Sequence, residues 1–347
     1  MKANITLTLG LVLAMTSAAS AGHEPSKGPN FNVVPLVADQ PGIAPNTDPS
    51  LINPWGLSYA PGGPAWVSDQ GTSKSTLYDR NTGAPNSLVV AIPERFPSGQ
   101  AYNHSAGFKI TEGTHSGPAT FLFATLTGTI EGWNQTVDLN NAVLAVDDSD
   151  EGAAYTGLAL DSTDAHLYAA DFANNEVSIY NNTFTETGSF TDPSLPKHFA
   201  PFNVAVLNGK VYVAFAKRAK TGRSKAGKGL GFVDVFDLNG TLLQHLIAGG
   251  DLDAPWGMTI APSGFGGLDG MLLVGNFGNG RIHAYDPNTG DEVATLRDAS
   301  GKPLTIDGLW TVDGGPGSSV TFTAGTDGET HGLYGLIQVA AGAVASK

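Results

Sequence analysis

A short segment of the chain returns two hundred residues later: Pro54-Trp55-Gly56-Leu57 reappears as Pro255-Trp256-Gly257-Met258. Weaker copies are Ser105-Ala106-Gly107-Phe108, Thr156-Gly157-Leu158-Ala159, Phe202-Asn203-Val204-Ala205 and Asp307-Gly308-Leu309-Trp310. Aligned at positions 56, 106, 157, 203, 257 and 308, the copies are 46 to 54 residues apart. Six units fill residues 53–339. A repeat of this length restricts a chain to solenoids, propellers or arrays, because each unit buries its apolar face only against its neighbours.

Each unit holds short runs rich in Val, Ile, Tyr and Phe, separated by Gly, Pro, Asn and Asp. In the first unit these are 56–60, 65–69, 75–79 and 87–92; in the fifth, 257–261, 271–276, 281–286 and 292–296. No window of helical periodicity is present. The turn Tyr78-Asp79-Arg80-Asn81-Thr82-Gly83 returns as Tyr285-Asp286-Pro287-Asn288-Thr289-Gly290. Its aspartate can close an Asx turn and its glycine supplies the positive φ. Six units of four antiparallel strands predict an all-β, six-bladed β-propeller. The last unit has only three runs, 308–312, 320–324 and 333–339. The spare run 32–38 supplies its outer strand, tying head to tail and protecting the edge. A seven-bladed ring lacks a unit, and paired β-sandwiches leave the period unexplained.

Lys2, the apolar stretch 5–15 and Ala19-Ser20-Ala21 read as a signal peptide cut after Ala21. The stretch is too short to span a bilayer, and no later segment is a membrane span. The expected layout is a signal peptide (1–21), a linker (22–30), one propeller domain (31–340) and a tail (341–347). The protein is therefore expected to be secreted or periplasmic. With no cysteine, disulfides, thiolate metal sites and cysteine nucleophiles are excluded. Acidic residues outnumber basic ones 32 to 18, which argues against nucleic acid, whose affinity comes mostly from phosphate neutralisation.

The segments Asn53-Pro54-Trp55-Gly56, Ala200-Pro201-Phe202-Asn203, Ala254-Pro255-Trp256-Gly257 and Asp307-Gly308-Leu309-Trp310 resemble those of a family of exported bacterial β-propeller proteins. Some of its members carry a PEP-CTERM sorting tail. The resemblance spans nearly the whole chain after residue 21 and implies export and a propeller fold, but no reaction. This chain departs from the pattern in ending Gly342-Ala343-Val344-Ala345-Ser346-Lys347. More distantly, the units resemble NHL repeats and six-bladed lactonases and gluconolactonases, an analogy of fold that carries no function.

A propeller's ligand site is expected at one mouth of its channel, among residues leading into the inner strands and following the second strands. The first group comprises Asn53, Trp55, Asn103, His104, Phe202, Asn203, Trp256 and Asp307; the second, Asp69, Asp171, Lys217 and Asn276. Against this, Trp55, Trp256 and Trp310 read more readily as blade-packing residues fixed by the repeat. No cofactor is implied. A divalent cation such as calcium would need six to eight oxygens, for which Asn53, Asn103, Asn203 and Asp307 are the candidates, without a glutamate to complete the set. The run Asp147-Asp148-Ser149-Asp150-Glu151-Gly152 reads as a solvated acidic loop.

Gly222 to Gly229 approach a Walker A loop but lack its final Ser or Thr and the helix behind it. The loop that contains it, from Lys217 to Lys228, carries Lys217, Arg218, Lys220, Arg223, Lys225 and Lys228, with no acid between them. It is expected to project from the channel face, as an anion- or partner-binding arm or a solvated loop. No H-E-x-x-H or G-x-S-x-G motif is present. Two functions remain open: a binding or scaffold propeller taking a small molecule, glycan or protein at its mouth, and a metal-dependent hydrolase or lactonase in which His104 or Asp307 would accept the proton.

Overall fold

The computed structural model describes residues 29–163 and 165–340; the expected signal peptide, nearly all of the linker and the tail lie outside them. The chain forms six sheets of at least four strands, each an antiparallel meander of four core strands. Blade one comprises Pro54–Ser58, Ala65–Asp69, Lys74–Tyr78 and Pro85–Ala91. Blade two comprises Pro97–Tyr102, Phe121–Thr125, Thr129–Trp133 and Val143–Asp147, with a hairpin of Lys109–Glu112 and His115–Pro118 inserted after its first strand. Blade three comprises Tyr155–Leu160, His166–Asp171, Glu176–Asn181 and Glu186–Phe190. Blade four comprises Phe199–Leu207, Lys210–Lys217, Gly231–Phe236 and Leu242–Ala248. Blade five comprises Pro255–Ile260, Leu272–Asn276, Ile282–Tyr285 and Glu292–Thr295.

The sixth blade closes the ring. Leu309–Gly314, Val320–Ala324 and Leu333–Val339 are completed by Phe31–Ala38, which runs antiparallel to Leu333–Val339 from Phe31 opposite Val339 to Ala38 opposite Leu333. This is the closure expected from the spare run. A short further strand, Asn46–Thr47, pairs parallel to Phe31–Ala38 and was not foreseen. Asn46 Nδ2 donates to Leu36 O at 2.9 Å and Thr82 O at 2.8 Å, tying the seam to blade one.

Strand alternation sends one set of side chains into each gap between blades. The apolar clusters accordingly lie between adjacent sheets. One joins blades five and six through Leu273, Ile282, Phe322 and Ile337; another joins blades four and five through Val233, Tyr212, Val274 and Tyr285.

The inner strands meet backbone to backbone, which requires small residues. A Cβ on Gly56 would stand 2.4 Å from Ser98 O, one on Gly99 2.2 Å from Leu158 N, and one on Gly257 2.5 Å from Val312 N. This ring corrects two alignments. In blade two the equivalent of Gly56 is Gly99, reached through Pro97-Ser98, and the segment around Gly107 lies beyond the inner strand, before the inserted hairpin. In blade six the equivalent of Trp55-Gly56 is Trp310-Thr311: Pro54 and Leu309 both precede a bulge, with Leu57 and Val312 resuming the ladder. Among the described residues, no helix is long and apolar enough to cross a membrane.

A candidate ligand site at the aromatic mouth

All six inner strands run the same way, so their first residues converge at one mouth and their last at the other. At the first mouth, Trp55, Phe202, Trp256 and Trp310 lie in one buried cluster with Phe172, and Leu126 and Phe277 pack against it. Trp55 stacks on Trp310 with ring centres 3.6 Å apart, and Phe277 stacks on Trp310 at 4.0 Å. Trp256 stands edge-on to both tryptophans, and Phe202 meets Phe172 at 5.0 Å. Offset and edge-on contacts of this kind stabilise beyond simple area burial, by about 0.5–1.5 kcal/mol per pair.

This aromatic plug separates two cavities. Behind it lies the channel, about 300 Å³, walled by backbone and by Ser58, Tyr59, Gln100, Asn203, Trp256 and Asp313. There Gln100 Nε2 donates to Ser58 Oγ at 2.9 Å, and Ser68 Oγ donates to Gln100 Oε1 at 2.8 Å. In front lies a cavity of about 200 Å³. Trp55, Phe172, Phe202, Phe277 and Trp310 line it, together with Gln70, Arg223 and Glu329.

The indole N–H groups are used unequally. Trp310 Nε1 donates to Asn53 Oδ1 at 2.9 Å, and Trp256 Nε1 donates across the ring to Thr156 O at 3.0 Å. Trp55 Nε1 is buried and has no acceptor among the described residues. A buried donor left unpaired costs roughly 1–3 kcal/mol. Asn53 is meanwhile fully engaged: its Nδ2 donates to Gln70 Oε1 at 2.8 Å and to Glu329 Oε2 at 3.2 Å.

The basic loop between the second and third strands of blade four does not project. It folds back over the mouth, bringing Gly222, Arg223 and Ser224 to the cavity. Arg218 donates to Phe172 O at 3.1 Å and also to Ala173 O, which anchors the start of the loop on blade three. Arg223 forms an ion pair with Glu329, from the loop following the second strand of blade six. At the far end, Lys228 pairs with Asp251 at 2.5 Å, and Gly227 N donates to Asp253 Oδ1. Lys217 lies over the Phe199 ring, and Lys220 and Lys225 are exposed.

The other expected site residues fall in several places. Asn203 lines the channel and donates from Nδ2 to Trp256 O at 2.8 Å. Asp307 is exposed on the rim and accepts Asp327 N–H at 2.8 Å. Asp171 and Asn276 end second strands but serve turns. Asp171 accepts the N–H groups of Ala154, Ala173 and Asn174, while Asn276 accepts Asp253 N–H and donates to Asp251 O. Asn103 and His104 follow the inner strand of blade two and therefore sit at the opposite mouth. Asn103 there donates to Ala119 O and accepts from Ser105. The four oxygen donors considered for a cation are thus divided between the two ends of the channel. Asp148 of the acidic run receives the hydroxyls of Tyr155 at 2.5 Å and Tyr180 at 2.6 Å, so that residue is a structural acceptor.

Phe172, Phe277 and Gln70 were missed by one residue each: they follow Asp171, Asn276 and Asp69. Strand alternation aims the second strand's final side chain into the blade and the next one at the mouth. Asp69 illustrates this. Its carboxylate oxygens are buried and have no hydrogen-bond donor among the described residues, and burial pushes its pKa well above the usual carboxylate range.

The chain is 30% identical over 319 residues to Uncharacterized protein R648 of Acanthamoeba polyphaga mimivirus, covering 87% of this chain and 78% of the relative. It is also 30% identical over 324 residues to Uncharacterized protein L690 of the same virus, covering 87% and 84%. The chain belongs to the family of these two proteins. No family model matches it. Among solved structures it is similar in fold to a streptogramin B lyase, at 13% identity and a TM-score of 0.51, over 90% of this chain and 98% of that one. A catalytically inactive virginiamycin B lyase from Staphylococcus aureus with quinupristin gives 9% identity and a TM-score of 0.52, over 90% of each chain. At these identities the likeness is one of fold.

Proposed function

We propose that the protein is a binding propeller whose ligand site is the aromatic cavity beneath the Arg223–Glu329 pair. The observation that carries this reading is an aromatic cavity lined by Trp55, whose Nε1 is a buried donor with no acceptor among the described residues. A concave apolar site with a few convergent polar groups is the usual form of a small-molecule site. The wall suits a planar apolar group. The indole N–H and the cationic loop suit an oxygen acceptor at its edge, so the ligand class is a small planar molecule bearing a carboxylate or carbonyl.

The test is a titration of indole fluorescence with benzoate, in the wild type and in Trp55→Phe, which keeps an aromatic ring and removes the N–H. Saturable quenching that is lost or greatly weakened in the variant supports the reading. Absence of saturation in the wild type, or equal affinity in both, overturns it. The alternative, a metal-dependent hydrolase or lactonase acting in the channel, requires Asn53, Asn103, Asn203 and Asp307 to share one cation. Their division between the two ends of the channel favours the binding reading. The proposed site uses no cofactor, and its partner is a small molecule.

Export, with cleavage after Ala21, is part of the same proposal, as is the division into signal peptide, linker, propeller and tail. N-terminal sequencing of protein recovered from the periplasm or medium should begin at Gly22; retention of Met1 in mature protein counts against it.

A further inference from the structure

Blades one to five each have a side chain in the third strand, opposite the middle of the second, that points into the gap between blades. These are Thr76 opposite Val67, Glu131 opposite Phe123, Ser178 opposite Ala169, Asp234 opposite Val213 and His283 opposite Val274, with Gly335 opposite Phe322 in blade six. The five side chains are all polar and all buried. In blade four this position is joined by two further ligand-type groups. His245 lies directly opposite Asp234 on the fourth strand, and Asp192 comes from the linker joining blades three and four.

One ligand atom from each of Asp192, Asp234 and His245 falls within 4.8 Å of the others. His245 Nδ1 stands 3.1 Å from Asp192 Oδ2 and 3.3 Å from Asp234 Oδ1. Both carboxylate side chains are 1% exposed, whereas the imidazole is 53% exposed. Asp192 Oδ1 is taken by Ser194 N–H at 2.8 Å. Asp234 Oδ2 is buried and has no donor among the described residues. No Lys or Arg forms an ion pair with either carboxylate among those residues. A single Nδ1 cannot satisfy two buried carboxylates, and burying unpaired charge is costly.

Blade five shows the contrast. There Asp251 is neutralised by Lys228, and His283 Nδ1 lies 3.0 Å from Glu292 Oε1. Blade two carries a single buried carboxylate, Glu131, which accepts Glu94 N–H. Two buried carboxylates beside an imidazole without a cationic side chain occur in blade four.

We infer that Asp192, Asp234 and His245 form a binding site for a divalent cation of the zinc class, on the outer part of blade four and away from the aromatic mouth. One imidazole nitrogen with two carboxylate oxygens is a zinc-type donor set. It has too few oxygens for calcium. Three protein ligands leave the outer coordination position to water, on the side where His245 meets solvent. The cation would pin the linker between blades three and four to the outer strands of blade four.

The test titrates Zn²⁺ into chelator-treated full-length protein by calorimetry, with a parallel melting curve, for the wild type, Asp234→Asn and His245→Gln. One equivalent should bind and raise the melting temperature. Each variant should weaken binding by at least about 10–100-fold, the loss typical even of outer-shell partners. His245 is on the surface, so H245Q remains informative if D234N does not fold. Co²⁺ should give visible absorption bands that change in H245Q. The inference is overturned if the wild type binds no stoichiometric cation, if both variants bind like the wild type, or if loss instead follows His283→Gln. Stabilisation by D234N without any metal binding would identify a shared proton in place of the cation.

Discussion

Arg223 and Glu329 meet across the mouth of the channel, joining a loop of blade four to a loop of blade six. They are 106 residues apart in the chain and belong to blades separated by blade five. Glu329 also accepts from Asn53 Nδ2, and Asn53 in turn accepts from Trp310. The pair therefore couples the lid of the cavity to its floor. Because Arg223 is 67% exposed, the ion pair adds little stability, typically no more than about 1 kcal/mol. Glu329→Gln should leave the melting temperature nearly unchanged while freeing Arg223 for an anionic probe. Benzoate affinity, read by indole fluorescence, should rise severalfold; an unchanged or weaker affinity counts against the latch.

The ring of inner-strand glycines makes a sharper stability prediction. Gly99→Ala places a methyl 2.2 Å from Leu158 N and 2.5 Å from Gly157 C, both backbone atoms of the next blade. Overpacking commonly costs about 1–3 kcal/mol, and contact with a backbone that cannot turn aside puts this site at the upper end. Urea unfolding should show the loss, and a neutral result would mean that the inner strands do not pack as described.

Head-to-tail closure predicts a stability cost far from the mouth. Val37 is fully buried and faces Tyr334 across the seam. Val37→Ala should destabilise by about 1–2 kcal/mol, as expected for deleting buried methyl groups. Amide exchange should rise first in Leu333–Val339. Loss of protection confined to residues before 54 would contradict the seam.

Glu131 predicts a pH dependence with a defined sign. Burial, opposed only in part by Glu94 N–H, pushes its pKa up to about 8. The folded state then holds a proton that the unfolded state has released, so this contribution is complete below about pH 4.5. It is lost as pH rises towards 8. The slope is at most about 1.4 kcal/mol per pH unit. Glu131→Gln keeps a neutral group in place and should flatten that part of the wild-type melting profile. An identical profile would show that Glu131 does not titrate in this range.

The blade count and the seam were legible because they follow from period and arithmetic. The repeat of Pro-Trp-Gly, the three-run last unit and the spare run at 32–38 left one way to close the ring. The alignment of the second unit failed because Ser105-Ala106-Gly107-Phe108 imitates the repeat in composition. The true signal, Pro97-x-Gly99 matching Pro54-x-Gly56 and Pro255-x-Gly257, was present but has serine in place of tryptophan. That slip carried Asn103 and His104 to the wrong mouth. Phe172 and Phe277 were missed because strand ends are uncertain by a residue, and one residue reverses the face. The placement of the basic loop over the cavity was not legible at all, since Arg223 and Glu329 find each other only after the ring has closed.

The claim that the aromatic mouth is a ligand site is tested most directly by a crystal structure of the protein grown with benzoate. The account predicts the benzoate ring among Trp55, Phe202 and Trp310, its carboxylate accepting from Trp55 Nε1 beneath the Gly222 to Ser224 segment. Benzoate bound elsewhere with this cavity empty, or Trp55 Nε1 already paired with a protein acceptor, would contradict it.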